Sequence, residues 1–304
     1  MALSETPFNA PIRIIVPVGA GSISDVSARW IAEALTGIFS EAVIIENKPG
    51  AGGTIAAETL KRARPDGKTL LLAPIALPVI TPLVYKYVGF DPAKDLEPIA
   101  QVSSFTYGLA VRADHPAHSV AEFVAWAKSH PAAASFATGG TGSAPHLLGM
   151  LLNRAAGIEM VHVSFKNPTH QQMDLLGGHV AASVDALPNL IPLQQAGKIR
   201  VLATSGAERS PLLPAVATFK EQRYPMIEAV GWTALYAPAK TPARLIDHLS
   251  AAIVDVLRSR DFRQKFTEAG LEATGTTPQA LTAIMAADTV RWSAIIKDVG
   301  YVAE

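Results

Sequence analysis

A short apolar strand running through a glycine-rich loop into a helix occurs twice in this chain, and that repetition restricts what the chain can fold into. The first copy starts at residues 12–18, a β-branched run bounded by Pro11 and Gly19. It continues through Gly19-Ala20-Gly21-Ser22-Ile23-Ser24 into Val26, Trp30, Ile31, Ala34, Leu35 and Ile38 at helical spacing, with Ser24 the expected N-cap. The second copy runs from residues 135–138 through Gly139-Gly140-Thr141-Gly142-Ser143 into a helix over 145–156. In each, free backbone N–H groups and the positive end of a helix point into one small space, which makes an anion site without a basic side chain. A βα loop also needs glycine simply to turn. Two such loops in separate α/β halves point to a cleft between domains.

The rest of the chain fits the same plan. Residues 43–46 and 69–73 read as strands, with a helix over 54–63 and a turn at Pro65-Asp66-Gly67-Lys68. This alternation predicts a parallel, doubly wound sheet. A second α/β series begins near Phe105, with strands over 107–111, 160–163, 182–184 and 200–204 and a helix over 120–129. After Trp232 come a strand at 235–237 and two amphipathic helices, 243–258 and 278–299, with Pro242 and Pro278 at their N1 positions. These helices read as a covering that returns to the first domain. Phe105, Tyr107, Phe165 and Trp232 fall at loops or crossovers, and His162, His170 and His179 at the surface or in loops.

Composition removes several function classes. In 304 residues, 49% hydrophobic and 17% charged, there is enough apolar surface for two domains with sizeable cores. The balance of 26 Lys+Arg against 26 Asp+Glu argues against a nucleic-acid binder. With no cysteine, thiol catalysis and disulfides are excluded. The longest apolar run, 70–80, is too short to span a bilayer and carries Pro74 and Pro78. Met1-Ala2-Leu3-Ser4-Glu5 has neither the basic nor the apolar region of a signal peptide, so the chain reads as cytoplasmic, or as a mature exported protein whose signal is replaced by a start methionine. No Gly-x-Ser-x-Gly elbow or histidine metal-ligand spacing occurs, and Ser143 three residues before His146 is a capping spacing. Asp185, at the end of an apolar strand, faces either the ligand edge of the sheet or caps a helix. Gly19 to Ser24 with Glu46 also approximates a dinucleotide fingerprint, so a cytoplasmic Rossmann-type NAD(P)-dependent oxidoreductase is the competing reading.

Several stretches taken together resemble one family. They are Pro11-Ile12-Arg13-Ile14-Ile15-Val16-Pro17 with Asp25 and Ala28-Arg29, Glu46-Asn47-Lys48-Pro49-Gly50-Ala51-Gly52-Gly53, Pro65-Asp66-Gly67-Lys68-Thr69-Leu70-Leu71, Gly140-Thr141-Gly142-Ser143 with His146, and Asp174-Leu175-Leu176-Gly177-Gly178. In this order they are similar to the Bug (TctC-like) periplasmic solute-binding proteins of tripartite tricarboxylate transporters, over nearly the whole chain.

The resemblance implies an α/β, two-domain type II periplasmic-binding-protein (Venus flytrap) fold with a helical C-terminal covering. Domain 1 is expected over 1–103 and 232–304 and domain 2 over 104–231, with the ligand cleft between them. It implies a receptor for a small carboxylate, with no catalysis, cofactor or metal. The chain would be a periplasmic monomer delivering its ligand to membrane transporter subunits or a sensor. Carried onto this sequence, the ligand-binding set is Gly19, Ala20, Gly21, Ser22, Ile23, Ser24, Ala76, Thr138, Gly139, Thr141, Ser143, His146, Phe165, Lys166 and Asp185. The chain departs from the family at Gly19-Ala20-Gly21-Ser22, where Pro-Pro-Gly-Gly is usual, and at Phe165-Lys166-Asn167, where Tyr-Lys-Gly is usual. Phe165 and Leu187 suggest a less polar wall suited to an aromatic or longer-chain carboxylate. The Asn47–Gly53 loop is read as structural.

Overall fold

The computed structural model describes residues 8–165 and 168–302. They fall into two compact units, residues 8–104 with 232–293 and residues 105–231 with 294–302.

In the first unit, β1 (Ile12–Val16) leads to α1 (Ile23–Phe39), β2 (Val43–Asn47), α2 (Thr54–Lys61) and β3 (Thr69–Pro74). A π-helical turn, Ala76–Ile80, runs into α3 (Thr81–Val84), and α4 (Pro92–Asp95) precedes β4 (Leu96–Arg112). β1 pairs in parallel with β2 and β3, as the alternation predicts. The sheet is nevertheless mixed, because β9 (Val230–Pro238) returns antiparallel to β3. Ile12, Ile14 and Ile15 of β1 and Leu70–Leu72 of β3 are fully buried. Onto this sheet α1 turns Ala28, Ile31 and Leu35, the apolar stripe that its 3.6-residue period creates.

Within the second unit, α5 (Val120–Ser129), β5 (Ser135–Thr138), α6 (Ala144–Ala156), β6 (Val161–Ser164), α7 (Pro168–Gly177), β7 (Ala182–Ala186), α8 (Leu187–Gln195) and β8 (Ile199–Thr204) follow one another. β5 is parallel to β6 and β7, while β4 is antiparallel to both β7 and β8. Leu187, expected on a ligand-facing wall, is 2% exposed and sits in the core with Leu190, Ile191 and Val201. Phe165 packs half-buried against the same cluster. Gly149 lies inside α6, where an added Cβ would stand 2.1 Å from the ring of the buried Phe136. Gly149→Ala is therefore expected to destabilise by about 3 kcal/mol through overpacking, read as a lowered urea midpoint.

The closing segment carries α9 (Ala243–Arg258), α10 (Arg260–Glu268), β10 (Glu272–Ala273) and α11 (Pro278–Val299). α9 buries Ile246, Leu249, Ile253, Val256 and Leu257 along one stripe. Pro242 is the N-cap of α9 rather than its first residue, whereas Pro278 does open α11. Phe105 and Trp232 stand at the crossovers where the chain passes from one unit to the other, as expected, but within strands β4 and β9 rather than in loops, and Tyr107 lies two residues further along β4. Trp232 is buried and its Nε1–H donates to Asp288 Oδ2 at 2.7 Å.

Candidate functional site

The loop between β1 and α1 turns at Gly21, whose φ of +81° favours glycine. That turn starts the helix two residues earlier than expected. Ser22, not Ser24, is the N-cap, with its Oγ accepting from Asp25 N at 3.3 Å, and Ser24 lies buried in the first turn. Gly19, Ala20 and Gly21 are exposed, and Ser22 and Ile23 half-buried. The N–H groups of Ile23 and Ser24 find no protein partner among the described residues.

This loop is braced from below by a residue that the sequence reading did not place in the site. Asp25 is 1% exposed. Its Oδ2 accepts from Gly21 N (2.9 Å) and Arg29 Nε (3.0 Å), and its Oδ1 from Asn47 Nδ2 (2.9 Å) and Arg29 Nη2 (3.0 Å). Burial pushes the Asp25 carboxyl up, but Arg29, the Gly21 N–H and Asn47 outweigh it and hold it below the usual carboxylate range. Asn47 also donates to Val18 O at 3.0 Å, so the first residue of the Asn-Lys-Pro-Gly run ties the end of β2 to the loop. The geometry disfavours the dinucleotide reading: Gly21 N–H already holds a carboxylate, and Glu46 is paired with Arg13 (3.0 Å) and Lys48 (3.1 Å). Ala76, the remaining candidate of this unit, opens the π-helical turn after β3 and is half-buried.

The loop between β5 and α6 is built around one carbonyl. Gly140 O accepts from Thr138 Oγ1 (3.2 Å) and from Ser143 Oγ (2.6 Å). Ser143 is the N-cap of α6, its Oγ accepting from His146 N at 3.4 Å, as the capping spacing predicts. Since its proton goes to Gly140 O, the hydroxyl holds the loop's shape. Gly142 N donates to His146 Nδ1 at 3.0 Å, so that ring is neutral with its proton on Nε2. Thr141 is exposed at the crest of the loop, and Gly139 is exposed at its start.

His162 is the main correction here. It lies half-buried in β6, and its ring stacks on that of His146 with centroids 3.8 Å apart. Phe136 lies beside both rings, and Tyr301 meets His146 edge-on at 5.8 Å. His162 Nε2 lies 2.7 Å from Thr138 Oγ1, within hydrogen-bond distance of the hydroxyl that also reaches Gly140 O. Burial lowers both imidazoles, and the neighbouring His146 helps push His162 down to about 4. Phe165 N donates to Thr138 O at 2.9 Å, which brings this candidate to the same loop. Lys166, with Asn167, lies outside the described residues.

Asp185 sits inside β7 rather than beyond it, and the N-cap of α8 is Ala186. Its Oδ1 accepts from Ala186 N (2.7 Å) and Asn189 Nδ2 (3.0 Å), while Oδ2 is buried without a partner. Burial pushes its carboxyl up to about 6, against the pull of these two donors. Gln171, in the first turn of α7, was also missed; it is fully buried and its Oε1 likewise lacks a partner. No group of three or more His, Asp or Glu is placed to hold a metal among the described residues.

The comparisons agree with one another. The family described as tripartite tricarboxylate transporter family receptor matches residues 27–301. A UPF0065 protein of Bordetella bronchiseptica is 33% identical over 296 residues, covering 97% of this chain and 88% of that protein. Among solved structures, R. palustris Rpa4515 with adipate superposes with a TM-score of 0.92 at 30% identity, covering 97% of this chain and 99% of that one. MatC from Rhodopseudomonas palustris with bound malate gives 0.87 at 28% identity, covering 95% and 100%. The two-unit α/β architecture is thus the periplasmic-binding-protein fold of these receptors. The paired glycine loops, the order of motifs and the match over nearly the whole chain lead to one conclusion: this chain belongs to the tripartite tricarboxylate transporter receptor family.

Proposed function

We propose that this chain is a periplasmic receptor that binds a small carboxylate, without chemistry on it, and delivers it to membrane transporter subunits. The observation that carries the proposal is the pair of strand–loop–helix corners, each braced by its own buried side chains. At the first corner, the N–H groups of Ile23 and Ser24 are left free to receive an anion. The adipate and malate held by the two solved relatives are carboxylates of the matching kind. On this reading the protein works as a monomer. Charge-assisted hydrogen bonds contribute roughly 1.5–3 kcal/mol each, so a few of them support micromolar binding.

A thermal-shift screen against mono-, di- and tricarboxylates, aromatic acids and NAD(P) tests this. A carboxylate at a hundred times its Kd is expected to add about 2.7 kcal/mol, a rise of a few degrees in Tm. A rise with NAD(P) alone would overturn the reading. Thr141→Ala and Ser143→Ala are expected to weaken the same carboxylate several-fold while the protein stays folded. For Ser143 the effect comes through lost loop shape and a lost cap of about 1 kcal/mol. Unchanged calorimetric affinity in both removes this loop from the site.

A further inference from the structure

Gln171 is a buried amide with one end satisfied and the other open. Its Nε2 lies 2.8 Å from Ser183 Oγ and 3.4 Å from both Ala137 O and Val184 O. Two carbonyls on that side require the NH2 group there, so the opposite atom is the amide oxygen. That oxygen has no partner, although Gln171 is 0% exposed. It lies 3.7 Å from the point where a Cβ on Gly139 would stand, at the start of the glycine loop of the second unit. A second orphan acceptor, Asp185 Oδ2, belongs to the same face of β7 as Ser183, two residues along the strand. Buried acceptors left open cost stability unless something donates to them. A carboxylate carries no donor, so a plain carboxylate at this loop would leave Gln171 unpaired.

We propose that Gln171 is a specificity-determining residue: its amide oxygen accepts a hydrogen bond from a hydroxyl or amino group on the carbon next to the ligand's carboxylate, so the preferred ligands are hydroxy- or amino-carboxylates. This rests on the carboxylate-receptor reading and narrows it. Sites built to pair with a polar substituent reject the analogue that lacks it, because the partner is left buried and unpaired.

Calorimetry on matched sets tests it, each set differing only in H, OH or NH3+ at C2: succinate, malate and aspartate; glutarate, 2-hydroxyglutarate and glutamate; adipate, 2-hydroxyadipate and 2-aminoadipate; phenylacetate, mandelate and phenylglycine. The wild type is expected to bind a substituted member at least about tenfold more tightly than its plain counterpart. In Gln171→Leu that preference is expected to vanish, the affinities of the substituted and plain members converging to within about twofold. Ser183→Ala removes the partner of Nε2 but not the open oxygen, and is expected to keep the preference, which separates recognition from packing. Equal affinity for plain and substituted members in the wild type, or a preference that survives in Gln171→Leu, overturns the proposal alone. Binding of none of the twelve acids, together with no response to the tricarboxylates and other acids of the thermal-shift screen, overturns the carboxylate reading itself.

Discussion

Asp25→Ala is expected to destabilise the protein by about 3 kcal/mol and to weaken carboxylate binding at least tenfold. The side chain is buried, and its two oxygens gather Gly21 N–H, Asn47 Nδ2 and both arms of Arg29. Hydrogen bonds to an ionised group contribute roughly 1.5–3 kcal/mol each, and removing one partner of a buried ion pair costs about 3–5 kcal/mol. The lower end applies here, because the Arg29 side chain is 53% exposed and can turn to water. Asn47 keeps its bond to Val18 O, but Gly21 loses the acceptor that fixes its positive-φ turn. The loop should then loosen at the point where the first turn of α1 presents its free N–H groups. Asp25→Asn keeps the shape without the charge and should lie between wild type and alanine. Urea denaturation gives the stability change and calorimetry the affinity change. A loss below 1 kcal/mol with full affinity would show that the loop holds its form without Asp25.

What could be read from the sequence, and what could not, divides along a physical line. Helix α5, strand β5 and helices α9 and α11 lie where the apolar spacing puts them, because their signals are local. The long strand β4 was half hidden. Gln101, Ser103 and Ser104 interrupt its apolar run, yet they are buried. Their satisfaction comes from far along the chain: Ser103 Oγ meets Thr233 Oγ1 at 2.8 Å, and Ser104 Oγ donates to Glu272 Oε2 at 3.0 Å. Helix α10 went unread because its nine residues offer little apolar stripe beyond Phe262 and Phe266. At the site, the two glycine loops were visible as strand–glycine–helix corners, but their supports were not. Ser22 and Ser24 are equally good caps by type, and only the backbone turn at Gly21 decides between them. Asp25 was visible only as part of a family motif. The stacking of His162 on His146 joins β6 to α6, and the open oxygen of Gln171 is defined by β5 and β7. Such relations belong to the sheet order, not to any window of sequence.

Asp185 and His162 are expected to drive stability in opposite directions as the pH falls from 6.5 to 4, and two variants should separate them. Asp185 has its carboxyl raised to about 6 in the folded chain against an ordinary 3.8. The folded state therefore holds its proton over a range where the unfolded state has lost it. The resulting penalty, up to about 3 kcal/mol, is complete above pH 6 and gone below 3.8. Acid thus relieves the protein at this residue. His162 is held down to about 4 against 6.5, so the unfolded chain takes up its proton first. Its contribution is complete above pH 6.5 and lost as the pH falls to 4. Because the ring is half-buried and partly screened by solvent, that loss is discounted to about 1–2 kcal/mol. In the wild type the two effects oppose each other. Asp185→Asn removes the first, so its gain over wild type should be about 2–3 kcal/mol at pH 7.5 and should shrink toward zero at pH 4. His162→Phe keeps an aromatic ring against His146 and loses the titration. Its stability should start lower, through the lost bond to Thr138, and then fall less steeply with acid than that of the wild type. Urea midpoints across this pH range measure both. An offset for Asp185→Asn that stays constant from pH 7.5 to 4 would mean that the buried carboxyl does not titrate between those limits, and that the donors Ala186 N–H and Asn189 hold it ionised despite its burial.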